Sequence, residues 1–215
     1  MTDILQKIKN WDFSSKDSSI TLNLDYVELA EISDVVDRKL WFIGEVTEEI
    51  IETIVYNILR YNTQDKGIPV EKRKPILLYI SSIGGETISG MSIVSAVQTS
   101  KTPIYTINIG QCSSIALVAF LSGHKRYAMP NSVFLMHEGF SGSYDSTSKA
   151  KETIYFFANE YEDVIKDFII SQTSLSKKEY EKRYKDEWYF LPTVAKKYGF
   201  TDYIIGEDCD IEEIL

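Results

Sequence analysis

The sequence predicts an α/β fold with a mostly parallel sheet. Two strand-like runs, Ile76–Ile80 and Ile104–Ile109, are each followed by glycine and then by a helix-like stretch. A further run, Val133–Met136, repeats the strand character. Ile76–Ile80 is apolar at every position, as in a strand covered on both faces. Alternating strands and helices in this order give parallel strands joined by right-handed crossovers.

The elements follow in chain order. Thr2–Trp11 has the pattern of a short amphipathic helix, and Ile20–Val27 alternates like a strand. Residues 1–35 as a whole form a polar-interrupted N-terminal segment, set apart from a main domain over 36–215. Leu40–Ile43 is a short apolar run. Thr47 has the place of an N-cap, with Glu48 and Glu49 suited to a first helical turn. Ile50, Ile54 and Ile58, together with Ile51, Val55 and Leu59, make one apolar helical stripe. Tyr61–Arg73 is expected to be a polar loop. Helices are expected over Glu86–Thr99 and Ser114–Leu121, with Gly110 turning the chain between strand and second helix. From 146 to 171, Ala150, Ile154, Phe157, Tyr161, Val164 and Phe168 recur at heptad-like steps. That seam suits either a helix packed on its own domain or one projecting to meet another subunit. Pro192 and Gly199 frame a last short helix, and Tyr203–Ile205 closes with a strand.

Bulk properties narrow the function. The chain has 215 residues, a hydrophobic fraction of 44% and a formal net charge of -9. An acidic surface repels phosphate backbones, so nucleic acid is not an expected partner. There is no apolar run of about 18 residues, so no membrane span is expected. The N-terminus carries acids and lacks an apolar core, which argues against a secretory signal. Cys112 and Cys209 make neither a metal motif nor a disulfide framework, so a cytoplasmic location is expected.

Histidine is scarce, with only His124 and His137 present. His124 lies in the polar turn Gly123–Arg126 and reads as a surface-loop residue. His137 directly follows the Val133–Met136 strand, and α/β proteins gather catalytic groups at strand C-terminal ends. Position alone does not separate a catalytic His137 from a structural one. Ser113 and Ser114 are candidate nucleophiles at the start of an apolar helix, where backbone N–H groups can also hold an oxyanion. They are equally well placed to cap that helix. Ser81-Ser82-Ile83-Gly84-Gly85 follows a strand, and consecutive glycines let a backbone approach a ligand closely. No G-x-S-x-G elbow, P-loop lysine or H-E-x-x-H motif occurs.

From about Ile32 to Ile205 the chain resembles the proteolytic subunit family of Clp protease, in the crotonase-like superfamily. The resemblance rests on WFIGEVTEEI, LLYISSIGGETISGMSIVSAV, INIGQCSSIALVAFLSGHKRYAMPNSVFLMHEG and VAKKYGFTDYII, in one register with a short deletion near Gly123-His124. It implies repeated ββα units, a mostly parallel sheet and a projecting handle helix at about 146–171. It implies Ser114 as nucleophile, His137 as base, and the Gly85 and Ile115 N–H groups as oxyanion donors. Glu187 takes the third triad place, where the family has aspartate; a slip of one residue installs Asp186 instead. Gly139, Phe140, Ser141 and Gly142 fall on the stretch that pairs with substrate backbone.

The implied function is serine endopeptidase action on unfolded polypeptide inside stacked rings of a homo-oligomer. The resemblance implies no metal or organic cofactor, and an AAA+ unfoldase as a separate ATP-using partner. Ile83 replaces a proline before the glycine pair, Glu138-Gly139 replaces Gln-Pro, and residues 1–35 do not match the family N-terminus. The departure at Glu187 leaves a second expectation, a weak or inactive scaffold subunit of a mixed ring. An acyl-CoA enzyme of the same superfamily is disfavoured by the paired Ser114 and His137 motifs.

Overall fold

The computed structural model describes residues 26–139 and 147–214. The chain divides into compact units over 1–39 and 40–215. In the first, Tyr26–Asp37 forms helix α1. Tyr26 and Val27 thus begin a helix rather than end a strand, while Thr2–Trp11 and the start of Ile20–Val27 lie outside the described residues. Arg38, at φ 61°, breaks α1 in the left-handed conformation common after helix ends.

The second unit is built on a seven-stranded sheet. Its strands are β1 (Lys39–Val46), β2 (Ile76–Gly85), β3 (Ile104–Ser113), β4 (Lys125–Ala128), β5 (Val133–Met136), β6 (Trp188–Phe190) and β7 (Tyr203–Ile204). The main order is β1-β2-β3-β4-β7, and β5 pairs with β3 and β6. β2–β3, β3–β4, β3–β5 and β4–β7 are parallel, and only β5–β6 among the described pairings is antiparallel. This is the α/β class that the sequence predicts.

The apolar run of β2 sorts onto both faces of the sheet. Ile76, Leu78 and Ile80 enter the larger core with the helices. Leu77 and Tyr79 enter a smaller cluster with Ile107, Tyr127, Ile205 and Ile214. Period-two alternation with both faces covered is the physical reason the run is continuous.

β3 extends through Gly110 to Ser113, where the sequence suggested a turn. Its first half pairs with β4 and its last residues, Gln111–Ser113, pair with β5. Asn108 pins that change of partner. Its Nδ2 donates to the Val133 carbonyl at 3.0 Å and its Oδ1 accepts from the Gly110 N–H at 3.1 Å. β4 occupies part of the segment that the sequence marked as a polar turn.

The helices depart from expectation in instructive ways. A π-helical turn, Ile51–Val55, leads into α2 (Tyr56–Gln64). Ile50, Ile54, Ile58 and Tyr61 are buried, whereas Ile51 and Leu59 are exposed. The stripe is therefore a single row, and the helix runs into the stretch expected to be loop. Helices α3 (Thr87–Thr99) and α4 (Ile115–Leu121) follow β2 and β3.

The expected long helix comprises α5 (Thr147–Tyr155), a π-helical segment (Phe156–Tyr161) and α6 (Glu162–Gln172). Lys151–Phe156 are exposed, while Ile169 on α6 is buried in the main core. A π-turn takes up an extra residue and rotates the helix beyond it. The packed face after the π-turn therefore runs through Tyr161, Ile165 and Ile169, and Val164 of the heptad row is 53% exposed.

Helix α7 (Lys177–Tyr184), preceded by a Ser176–Glu179 capping box, was not anticipated. α8 (Pro192–Lys197) has proline in its first turn, and Gly199 follows at φ 73°, as the sequence predicts. Among the described residues no helix is long and apolar enough to cross a membrane.

Candidate active site

The sheet register assembles the site. β3 and β5 are parallel with Ser113 opposite Leu135, so the next residue, Ser114, stands beside the end of β5, where His137 follows Met136. β5 and β6 are antiparallel with Met136 opposite Trp188. One further step in that register sets His137 opposite Glu187. Their side chains meet, with His137 Nδ1 and Glu187 Oε1 3.0 Å apart.

The two candidate serines are distinguished by backbone. Ser113 ends β3 and is 3% exposed. Ser114 adopts φ 55°, ψ -129°, a conformation rare for a residue with a Cβ. Its N–H donates to the Leu135 carbonyl and its own carbonyl accepts from the Leu117 N–H, each at 3.0 Å. Such a backbone costs about 1–3 kcal/mol and persists where neighbours fix it. Its consequence is positional, because Ser114 lines a cavity of about 310 Å³ together with His137.

Gly84 explains why glycine is needed above that turn. A Cβ there would sit 2.7 Å from the Ser113 carbonyl oxygen and the Ser114 Cβ, and 3.3 Å from the Ile115 nitrogen. Gly84 also has φ 91° and Gly85 φ 149°, both in glycine's own territory. The glycine loop is thus pressed against the Ser113–Ile115 turn. The expected oxyanion donors, on Gly85 and Ile115, belong to these two abutting segments. Ser82 holds the loop, its Oγ accepting from the Gly84 N–H at 3.1 Å.

A carboxylate only accepts hydrogen bonds, so Glu187 fixes the proton on His137 Nδ1 and makes Nε2 the ring's basic nitrogen. Asp186, one residue earlier, has its N–H bonded to the Arg183 carbonyl, and the carboxylate at His137 is that of Glu187. His124 does a different job. Its Nδ1 accepts from the Ile104 N–H at 3.1 Å, anchoring the start of β3 far along the strand from Ser114.

Gly139 also lines the cavity, and its N–H donates to the Tyr184 hydroxyl at 3.3 Å. Phe140, Ser141 and Gly142 lie outside the described residues. Part of the lining comes from elements that the sequence does not tie to the site: Phe157, Tyr161, Glu162, Ile165 and Ile169 from the long helix, and Tyr184 from α7. The Ser176-x-x-Glu179 spacing was the available signal for α7. Nothing local in the sequence signals that α6 covers Ser114. Partial burial raises the Glu162 carboxyl above its ordinary range, with the charge of Glu138 adding to the effect. Among the described residues no group of three or more His, Cys, Asp or Glu side chains is placed to hold a metal.

The chain is 29% identical over 181 residues to "ATP-dependent Clp protease proteolytic subunit 2" of Treponema denticola, covering 82% of this chain and 86% of that protein. Residues 29–208 match the sequence model of the family described as Clp protease. With that match spanning most of its length, the chain belongs to the Clp protease family.

Proposed function

We propose that this chain is a serine endopeptidase, the proteolytic subunit of an ATP-dependent Clp-type protease that cleaves unfolded polypeptides inside a ring chamber. The observation that supports it best is the shared cavity wall of Ser114 and His137, with Glu187 3.0 Å behind the imidazole.

In this reading His137 Nε2 takes the Ser114 Oγ proton as Oγ attacks the peptide carbonyl. The Gly85 and Ile115 N–H groups receive the oxyanion, a contribution of about 3 kcal/mol per donor in comparable sites. His137 then protonates the leaving amine, and water hydrolyses the acyl-enzyme. Glu187 holds the imidazole tautomer throughout and stabilises its charged form. The chain continuing from Gly139 through Phe140, Ser141 and Gly142 pairs with the substrate backbone by strand addition. No organic cofactor takes part.

Exposed apolar side chains, among them Trp41, Ile43, Tyr56, Leu59, Tyr189 and Leu191, suit burial between subunits of a stacked-ring homo-oligomer. An AAA+ unfoldase supplies the ATP-driven step. The unbridged Cys112 and Cys209 suit a cytoplasmic setting.

One observation favours a weaker enzyme or a scaffold subunit. The Glu187 side chain is 58% exposed, so water competes for the carboxylate that orients His137. Hydrolysis of an unstructured protein by the assembled chain, abolished in Ser114→Ala, is the expected result. Equal turnover by wild type and Ser114→Ala would overturn the proposal.

A further inference from the structure

Gly139 follows His137 by two residues and lies past Met136, the last paired residue of β5. Glycine has the freest backbone of any residue, so it keeps one place only where something else fixes it. The position itself does not call for glycine. Its φ is outside the left-handed range that favours glycine, and a Cβ built there would meet no atom within 4 Å. The backbone at this point is also exposed.

A side chain supplies the hold. The Gly139 N–H donates to the Tyr184 hydroxyl at 3.3 Å. Tyr184 is the last residue of α7, half-buried against the main core. Its ring stacks on Tyr180 with centroids 5.0 Å apart, and Tyr180 is 2% exposed. Arg183, one residue earlier, lies 4.0 Å over the Trp188 ring and donates to the Tyr198 hydroxyl at 3.0 Å. Trp188 in turn pairs with Met136. The end of α7 is thereby tied to the strand pair, β5 and β6, that sets His137 beside Glu187. Tyr184 also lines the cavity shared by Ser114 and His137.

Resting on the peptidase reading above, in which Gly139 opens the stretch that pairs with substrate, we propose that Tyr184 is a positioning residue for that reaction. Its hydroxyl fixes the backbone at Gly139 and so sets where the substrate chain is received beside Ser114. It acts through Gly139 and not on the reacting bond. A backbone left free at Gly139 must be ordered anew at each binding event, which weakens binding. Pairing along a backbone is alike in the bound substrate and in the transition state, so its loss raises KM and spares kcat.

The test is steady-state hydrolysis of a long unstructured fluorogenic peptide by the assembled full chain. The proteins are wild type, Tyr184→Phe, Gly139→Pro and the double variant. Phenylalanine keeps the ring and its stack on Tyr180 and removes only the acceptor. In Tyr184→Phe, KM is expected to rise about 3–10-fold, the scale of one hydrogen bond, with kcat within a factor of about 2. Proline has no N–H to donate. Adding Tyr184→Phe to Gly139→Pro is therefore expected to change KM by less than about twofold, whatever Gly139→Pro does alone. Should Gly139→Pro be too slow to measure, the KM of Tyr184→Phe decides by itself. An unchanged KM in Tyr184→Phe would overturn the inference. A fall in kcat without a rise in KM would overturn it too, as the mark of a loosened site rather than a misplaced backbone. So would an equal rise in KM with and without the Gly139 N–H. Wild type that neither hydrolyses the peptide nor takes up a fluorophosphonate at Ser114 would overturn the peptidase reading, and the inference with it.

Discussion

At the scale of single residues, the site depends on a few backbone and side-chain facts. Ser114 is set apart from Ser113 by its positive φ, and Glu187 from Asp186 by the strand register that turns it to His137. In an extended strand, neighbouring residues face opposite sides, so a slip of one residue would change which side chain faces His137. Glu187→Ala is therefore expected to lower peptide hydrolysis by roughly 10²–10⁴-fold, the range seen when a triad loses its orienting acid. Asp186→Ala should leave the rate within a factor of about 3, the scale of a neutral surface substitution. Steady-state kinetics on the two variants decides the matter, and the reverse order would reassign the third residue. His137 and the serine pair were legible in the sequence because histidines are few and motifs flank them. The choice between Glu187 and Asp186 was not, because it hangs on pairing between strands about 50 residues apart.

At the scale of elements, close packing of α3 on α4 holds the nucleophile. A Cβ on Gly90 would lie 2.3 Å from Ile115 Cγ1, and Ile115 is buried directly after Ser114. Gly90→Ala is expected to cost about 1–3 kcal/mol through overpacking. The melting temperature should fall by about 3–10 °C in a domain of this size. An unchanged melting temperature, measured by calorimetry, would show that the α3–α4 contact is slacker than the geometry implies.

Elements with one strong periodicity were legible here: β2 as a continuous apolar run, and α8 between its proline and glycine. The long helix was legible in extent but not in face. Its heptad row pointed to Val164, and the π-helical Phe156–Tyr161 turns the later residues so that Ile165 and Ile169 face the cavity instead. β4 and β6 are four and three residues long, too short for any pattern to declare itself. Their place comes from tertiary pairing with β3 and β5.

At the scale of the whole molecule, the core accounts for the fold but leaves apolar surface unused. Ile154, Tyr155, Phe156 and Val164 on the long helix are 42–61% exposed, and Trp41 and Ile43 on β1 are similarly open. Ring assembly in the proposed protease would cover such surface. Sedimentation velocity is expected to show an oligomer rather than a monomer. A monomer at micromolar concentration would contradict the ring reading. The most direct test of the central claim is intact mass after incubation with a fluorophosphonate, on the assembled wild type and on Ser114→Ala. One adduct per subunit on wild type and none on Ser114→Ala is the predicted result. An unmodified wild type, or an adduct that survives Ser114→Ala, would contradict an activated nucleophile at Ser114.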